Sequence, residues 1–259
     1  MPRLRGSKYL QSMVGGTYKD VKEALEQGKY VLFTGTPCQI SGIKRYLGKE
    51  YEKLILADLI CHGVPSEKIW KKYLEYQCKK HCADGINLIN FRDKSKGWYE
   101  YDMRIEFNNG KVYSKHHEYD LFLRAFKSCL NSRPSCYDCH SKSLERESDI
   151  TLGDFWGVDI TEPEMYDDKG TSLVIVNSPK GERIMNEIAD KIYMQETDMD
   201  KAVAGNTSLF RSAKYTERRN QFMNDADIMP IDRVVRKYAP YNYMLWAKQK
   251  LRRMIIGWR

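Results

Sequence analysis

The sequence predicts an α/β fold: a mixed, partly parallel sheet flanked by helices, with a β-hairpin and cysteine-bearing loops. Three observations predict it. Residues 30–60 run through strand, helix and strand patterns, the signature of a β-α-β unit. Asn108-Asn109-Gly110 separates two strand-like runs, as in a hairpin. The chain has 259 residues, 42% of them hydrophobic, enough to bury a core without disulfides.

Taken in order, Thr17 reads as an N-cap with Asp20 three residues on. Val21, Ala24 and Leu25 keep helical spacing up to Gly28, which predicts a helix over residues 18–27. Tyr30 to Thr34 is a short buried-strand pattern closed by Gly35 and Pro37; Ile40, Ile43 and Leu47 mark a helix; Leu54 to Ile60 is the second strand. Such crossovers join parallel strands, and ligands of open α/β sheets bind beyond the strands' carboxyl ends. Cys38 and Cys61 stand at those two ends. A helix N-terminus at Gln39 lies beside Cys38, where its partial positive charge favours thiolate.

Pro65 and Ser66 open another helix, ending near His81, with Ile69, Trp70, Tyr73, Leu74, Gln77 and Cys78 on one face. Residues 86–93 read as a strand, and 101–107 with 111–115 as the hairpin, adding antiparallel members to the sheet. Leu121, Phe122, Ala125, Phe126, Cys129 and Leu130 form a helical stripe, so Cys129 reads as buried packing and stays a reserve ligand. Residues 149–157 are a short strand running into a glycine-hinged loop, 172–177 another strand, and 181–193 a helix. From Tyr241 to Trp258, apolar Leu245, Leu251, Met254 and Ile255 alternate with Lys248, Lys250, Arg252 and Arg253. That is a basic amphipathic helix, read as docked on its own domain, with a membrane or partner surface as the alternative. The chain divides into a domain over 1–195 and a helical extension over 196–259.

The net charge is +8, from 43 Lys and Arg against 35 Asp and Glu. The basic residues are scattered among acidic ones, unlike the one-sided stripe of a nucleic-acid binder, so no nucleic-acid partner is expected. Seven cysteines, an odd number, and no apolar signal segment after Met1 point to a reducing, cytoplasmic setting. The longest apolar stretch is too short to span a bilayer.

Four cysteines sit in ligand-like contexts: Cys38 in Gly35-Thr36-Pro37-Cys38-Gln39, Cys61 in Cys61-His62-Gly63, and the Cys136-Tyr137-Asp138-Cys139 pair. Four thiolates suit either a cubane cluster or a structural zinc. A thioredoxin-type pair would follow a strand, whereas this one follows Arg133-Pro134-Ser135 after a helix. Zinc more often takes a second such pair or spaced histidines, and His116 and His117 are adjacent. Single cysteines on two loops plus one pair suit a cluster better.

Gly6-Ser7-Lys8-Tyr9, Phe33 to Gln39, Cys61 to Ser66, Phe91-Arg92-Asp93-Lys94, Arg133 to Cys139 and Asp149 to Gly157 together resemble the coenzyme F420 hydrogenase/dehydrogenase beta-subunit family, over about residues 6–180. The resemblance implies an iron–sulfur and flavin oxidoreductase domain over 1–195. Electrons would pass between one-electron carriers, such as a ferredoxin-like protein, and a hydride carrier such as coenzyme F420 or another small organic substrate. It implies a 4Fe-4S cluster on Cys38, Cys61, Cys136 and Cys139, with FAD or FMN beside it. The phosphate of a flavin would profit from Ser7, Lys8, Gly35, Thr36, Gln39, Arg92 and Lys94; the rival for the lysines and the arginine is a solvated surface. His62 reads as a donor to cluster sulfur or of a proton to reduced flavin, or else as a cap. Trp98, Phe155 and Trp156 read as stacking partners or as core. Asp154 reads as a hydrogen-bond partner of cofactor or loop, or as a turn residue. Relatives carry a ferredoxin-like, cysteine-rich segment before Gly6, which the resemblance leaves out of this chain. The alternatives are a zinc-stabilised interaction protein and a flavin-free iron–sulfur relay.

Overall fold

The computed structural model describes residues 6–241, 247 and 251. The amphipathic helix expected from Tyr241 to Trp258 lies outside the described residues apart from three positions. Helix α1 (Thr17–Glu26) leads into strand β1 (Val31–Gly35), helix α2 (Pro37–Leu47) and strand β2 (Leu54–Leu59). Strands β1 and β2 pair in parallel, Val31 opposite Leu54 and Gly35 opposite Asp58, which bears out the β-α-β reading. Val21 and Leu25 of α1 and Ile40, Ile43 and Leu47 of α2 bury one face of this pair against Phe33, Leu54 and Leu56. The cap of α1 is Gly16 rather than Thr17, without a side-chain hydrogen bond. Thr17 already lies in the first turn, because two glycines before it supply the sharp entry.

Helix α3 (Glu67–His81) follows, then strands β3 (Ile86–Asp93), β4 (Asp102–Phe107) and β5 (Val112–His116), and helix α4 (Leu121–Lys127). The hairpin turns where expected, but with β3 it forms a sheet of its own in the order β3-β4-β5. It does not extend the first sheet, because its apolar face is taken by α3 and α4. Ile69, Trp70 and Tyr73 meet Phe91, Met103, Ile105, Phe122 and Leu123 there.

Strand β6 (Ile150–Asp154) returns the chain to the first sheet, parallel to β2; a short helix α5 (Val158–Thr161) follows, and β7 (Ser172–Val176) pairs antiparallel with β6. The order is β1-β2-β6-β7, a mixed and partly parallel sheet. Helix α6 (Pro179–Glu187) is shorter than the expected span to Tyr193, which ends instead in a 3-10 turn at Ala189–Lys191. Its cap is Ser178, whose hydroxyl accepts from Gly181 N at 3.0 Å.

Helices α7 (Met199–Ala204), α8 (Arg218–Ile228) and α9 (Ile231–Tyr238) close the described chain. Phe222, Ala226, Ile231, Val234 and Val235 complete the core of the second sheet. Ala202 and Leu209 join Trp98, Phe155, Val158, Leu173 and Ile175 in a third cluster. Gly205, just past α7, lies against the backbone of Trp156: a Cβ there would stand 2.0 Å from the Trp156 carbonyl oxygen. Gly205→Ala is expected to cost about 1–3 kcal/mol by overpacking, read as a lower denaturation midpoint with unchanged slope. An unchanged midpoint would contradict this contact.

Candidate functional site

Two neighbouring loops carry most of the thiols. After β2 the chain passes through Cys61 and His62 and turns at Gly63, whose φ of 138° favours glycine. Residues 64–66 then run beside 131–136: Arg133 N donates to Val64 O at 2.8 Å, Ser66 N to Asn131 O at 2.7 Å, and Pro65 and Ser132 form an isolated antiparallel bridge. This pairing aims Val64 N at the Cys136 sulfur, 3.4 Å away. The CxxC loop is braced from behind as well, Cys139 N donating to Ser212 Oγ at 3.0 Å and Ala213 N to Cys136 O at 3.0 Å.

Cys38 lies in the first turn of α2, so the helix starts two residues before the N-terminus expected at Gln39. Thr36 and Gln39 form a capping box, with Thr36 N donating to Gln39 Oε1 at 2.9 Å and Thr36 Oγ1 3.1 Å from the Cys38 sulfur. The Gln39 amide is thus engaged by the cap. Gly35 leaves room for it, since a Cβ there would stand 3.0 Å from Gln39 Oε1.

Lys142, which no motif or spacing in the sequence marks out, holds these loops together. Its ammonium donates to the carbonyls of Cys61 and Ser208. Burial pushes its pKa down, while Cys61, Cys139 and Cys136 act in the opposite sense. The Cys61 thiol is pushed up by burial first, Lys142 and the Gly63 amide favour its thiolate, and the charges of Cys136 and Cys38 oppose it. Cys38, Cys61, Cys136 and Cys139 are therefore within electrostatic reach of one another or of one lysine.

Cys129, which apolar spacing makes a packing residue, is buried just beyond α4 with a left-handed φ of 55°. Its sulfur lies 3.5 Å from His62 Nε2, and its pKa is raised by burial first and by Cys136 among its neighbours. The left-handed turn that takes it out of the helical stripe leaves no trace in that spacing. Burial pushes the His62 pKa down, so the ring is held neutral, and it meets Phe126 edge-on at 4.9 Å. Cys78 packs beside the second core and Cys82 is exposed at the end of α3. All seven cysteines are free thiols. Among the described residues no three His, Cys, Asp or Glu side chains are placed to hold one metal ion.

A second centre lies at the ends of β3 and β6. The Arg92 side chain, 4% exposed, pairs with Asp154. Its guanidinium lies 4.7 Å from the Tyr101 ring centroid and 5.0 Å from that of Trp156, which stacks on Trp98 at 5.0 Å. Arg92 Nε and Nη2 are buried without a hydrogen-bond partner among the described residues. Burial, and next Arg92, push the Lys94 pKa down, against Asp154 and Asp167; its ammonium donates to Lys169 O at 3.0 Å. Tyr9 comes in from the N-terminal segment, its hydroxyl interacting with Tyr101 and Ser7. Lys8 is directed to the carbonyl of Gly6 at 3.2 Å. Gln11 of the same segment reaches Thr36 Oγ1 at 3.4 Å. The ring of Phe126 touches both Tyr9, at 5.0 Å, and His62, so one aromatic side chain separates the thiol loops from the Arg92 centre.

The donors at both places suit the groups that the resemblance implies. Soft free thiols on three loops are the donor type that iron and sulfide would take. A buried guanidinium with two unpaired nitrogens suits an anion. Among the described residues no helix is long and apolar enough to cross a membrane. A comparison with curated proteins found no match. A family model for the C terminus of the coenzyme F420 hydrogenase/dehydrogenase beta subunit matches residues 28–202, which span β1 to α7 and every thiol of the site, and the chain belongs to that oxidoreductase family.

Proposed function

We propose that the chain is an oxidoreductase subunit that holds a 4Fe-4S cluster on Cys38, Cys61, Cys136 and Cys139 and a flavin, FAD or FMN, against the Arg92 centre. Its reaction passes electrons between a one-electron carrier of the ferredoxin kind and a hydride carrier, coenzyme F420 or another small organic substrate. The observation that carries this reading is the meeting of the thiol loops, Val64 N of the Cys61 loop lying 3.4 Å from the Cys136 sulfur and Lys142 donating to the Cys61 carbonyl, in a chain whose family match spans all four thiols. A bound flavin supplies exchange of a hydride with an organic partner and of single electrons with a cluster.

The chain's own residues serve that chemistry in distinct ways. The Lys142 cation favours thiolate at Cys61 and, through two carbonyls, holds the Cys61 loop against residue 208. His62, kept neutral, offers its Nε2 to the Cys129 sulfur. Arg92 presents two N–H-bearing nitrogens to an anion while Asp154 and the rings of Tyr101 and Trp156 fix its plane. Trp156 and Asp154 thereby act as positioning residues at the flavin. Phe126, in contact with both His62 and Tyr9, packs between the two centres.

Leu32, Leu59, Leu152 and Val176 leave the other face of the mixed sheet apolar and exposed. Such sheets are normally covered on both faces, which supports a partner chain, as membership of a beta-subunit family implies.

Protein purified without oxygen is expected to be brown, with about four iron and four sulfide per chain and extractable FAD or FMN. Stoichiometric zinc without visible absorbance would overturn the cluster and favour the zinc-stabilised interaction protein. Iron and sulfide without flavin would leave an electron relay.

A further inference from the structure

The second sheet carries a cavity of about 350 Å³ between the last turns of α3, strand β5, the start of α4 and the residues after α9. This is the size of a small-ligand pocket. It shares no lining residue with the thiol loops or the Arg92 centre. Among the described residues its walls hold four cations, Lys80, Lys115, Arg124 and Arg236, and no carboxylate.

These cations feel one another. Burial comes first in pushing the Lys115 pKa down, and Lys80, Arg236 and Arg124 add to it, with Asp120 opposing. Asp120, which acts on Lys115, is not part of the cavity wall and is engaged by other groups. It is buried and accepts the hydroxyls of Tyr73 at 2.6 Å and Tyr113 at 2.9 Å and the amide of Leu123 at 2.8 Å, and burial pushes its carboxyl pKa up. Among the described residues Lys80, Lys115 and Arg236 have no carboxylate ion pair. A cluster of like charges around a concave space focuses anions.

The rest of the wall is aromatic. Tyr76, Tyr113 and Tyr119 line it, and Tyr119 stacks on Tyr241 at 4.4 Å between ring centroids. Gln77, 1% exposed, lines the same space, and its Oε1 has no hydrogen-bond donor among the described residues. A buried acceptor of this kind calls for a donor, from ordered water or from a ligand.

We propose that this cavity is a nucleotide site: the cations take the phosphates, the tyrosines flank a flat ring, and Gln77 Oε1 accepts an N–H from that ring. The inference goes beyond the cluster and flavin reading and does not depend on it, since no residue is shared.

The test is calorimetric titration of the full chain, purified without oxygen, with ADP, GDP, adenosine and inorganic pyrophosphate. At least one of the two nucleotides is expected to bind about tenfold or more tightly than either pyrophosphate or adenosine, since only it meets both walls. The variant Lys80→Ala/Lys115→Ala/Arg236→Ala removes exposed side chains, and is expected to weaken that nucleotide by about a hundredfold with melting temperature and iron content unchanged. Arg236→Ala alone should weaken it by about tenfold, a check should the triple variant not fold. Failure of both nucleotides to bind, pyrophosphate binding as tightly as the nucleotide, or nucleotide affinity unchanged in the variants would each overturn the proposal. None of these results bears on iron or flavin content.

Discussion

Cys61→Ser is expected to yield a folded chain stripped of iron and sulfide, and Cys38→Ser, Cys136→Ser and Cys139→Ser are expected to do the same. Serine keeps the shape of the side chain but offers no soft thiolate. At Cys61 the loss should be most complete. Cys61 is half-buried, so its thiol is pushed up, and the balancing Lys142 charge and Gly63 amide have no other thiolate of that loop to favour. Cys78→Ser and Cys82→Ser should retain the metal, being placed on α3 away from the paired loops. Cys129→Ser is the discriminating variant. With the ligand set proposed it keeps its iron, and only the contact of its sulfur with His62 Nε2 is altered. Iron lost from Cys129→Ser and kept in Cys61→Ser would replace one ligand by the other. Anaerobic iron and sulfide analysis of each variant, with circular dichroism to confirm folding, decides it.

Arg146→Met is expected to be among the most destabilising single changes in the chain, at about 3–5 kcal/mol. Arg146 and Asp58 face each other at 3.3 Å with both side chains only 2% exposed. The guanidinium also donates to the carbonyls of Leu59 at 3.2 Å and Ser141 at 3.1 Å, tying the end of β2 to the segment after Cys139. Removing it strands a buried carboxylate whose pKa is already raised by burial, against the help of Thr151 and Arg146.

The pH dependence has a definite sign. A carboxyl whose folded pKa is raised contributes stability below its unfolded pKa and loses it as pH rises through the folded one. In Arg146→Met that folded pKa moves further up. The variant should therefore recover stability on acidification towards the ordinary carboxylate range, relative to the native chain. Arg146→Met/Asp58→Asn should be more stable at neutral pH than Arg146→Met alone, because the stranded charge is gone. Denaturant melts at several pH values test both statements, and a single variant as stable as the native chain would show that the pair is not buried in solution. Since the same arginine joins the two thiol-bearing segments, Arg146→Met should also release iron more readily.

Much of the architecture is legible in the sequence because it is written in local periodicity. The strand runs at Val31 and Leu54, the stripe of α3 and the turn at Asn108-Asn109-Gly110 each lie within a few residues. Where sequence and structure part, the causes are equally local. Thr17 is displaced as a cap by the glycines before it, and α6 ends early in a 3-10 turn. The hairpin's sheet is not readable from its strands, because β3, β4 and β5 alternate as members of any sheet would, and only the helices covering them set them apart. Apolar spacing carries Cys129 into a helical stripe that the chain leaves by a left-handed turn.

By itself the sequence determined the β-α-β unit, the position of Cys38 and Cys61 at its strand ends, and a family membership carried by short motifs around the thiols. Tertiary structure alone decided which distant groups meet them. Lys142 lies 81 residues from the Cys61 carbonyl it binds, and Arg92 is 62 residues from Asp154. Neither lysine nor arginine carries a spacing signal, since each is a long side chain that reads as solvated surface until packing removes the water around it. The four ligand-like cysteines and, by its motif, Arg92 were thus recognisable, whereas the lysine that links the cysteine loops, the pairing of Arg92 with Asp154 and the tyrosine-lined cationic cavity exist only once two sheets and their helices close around them.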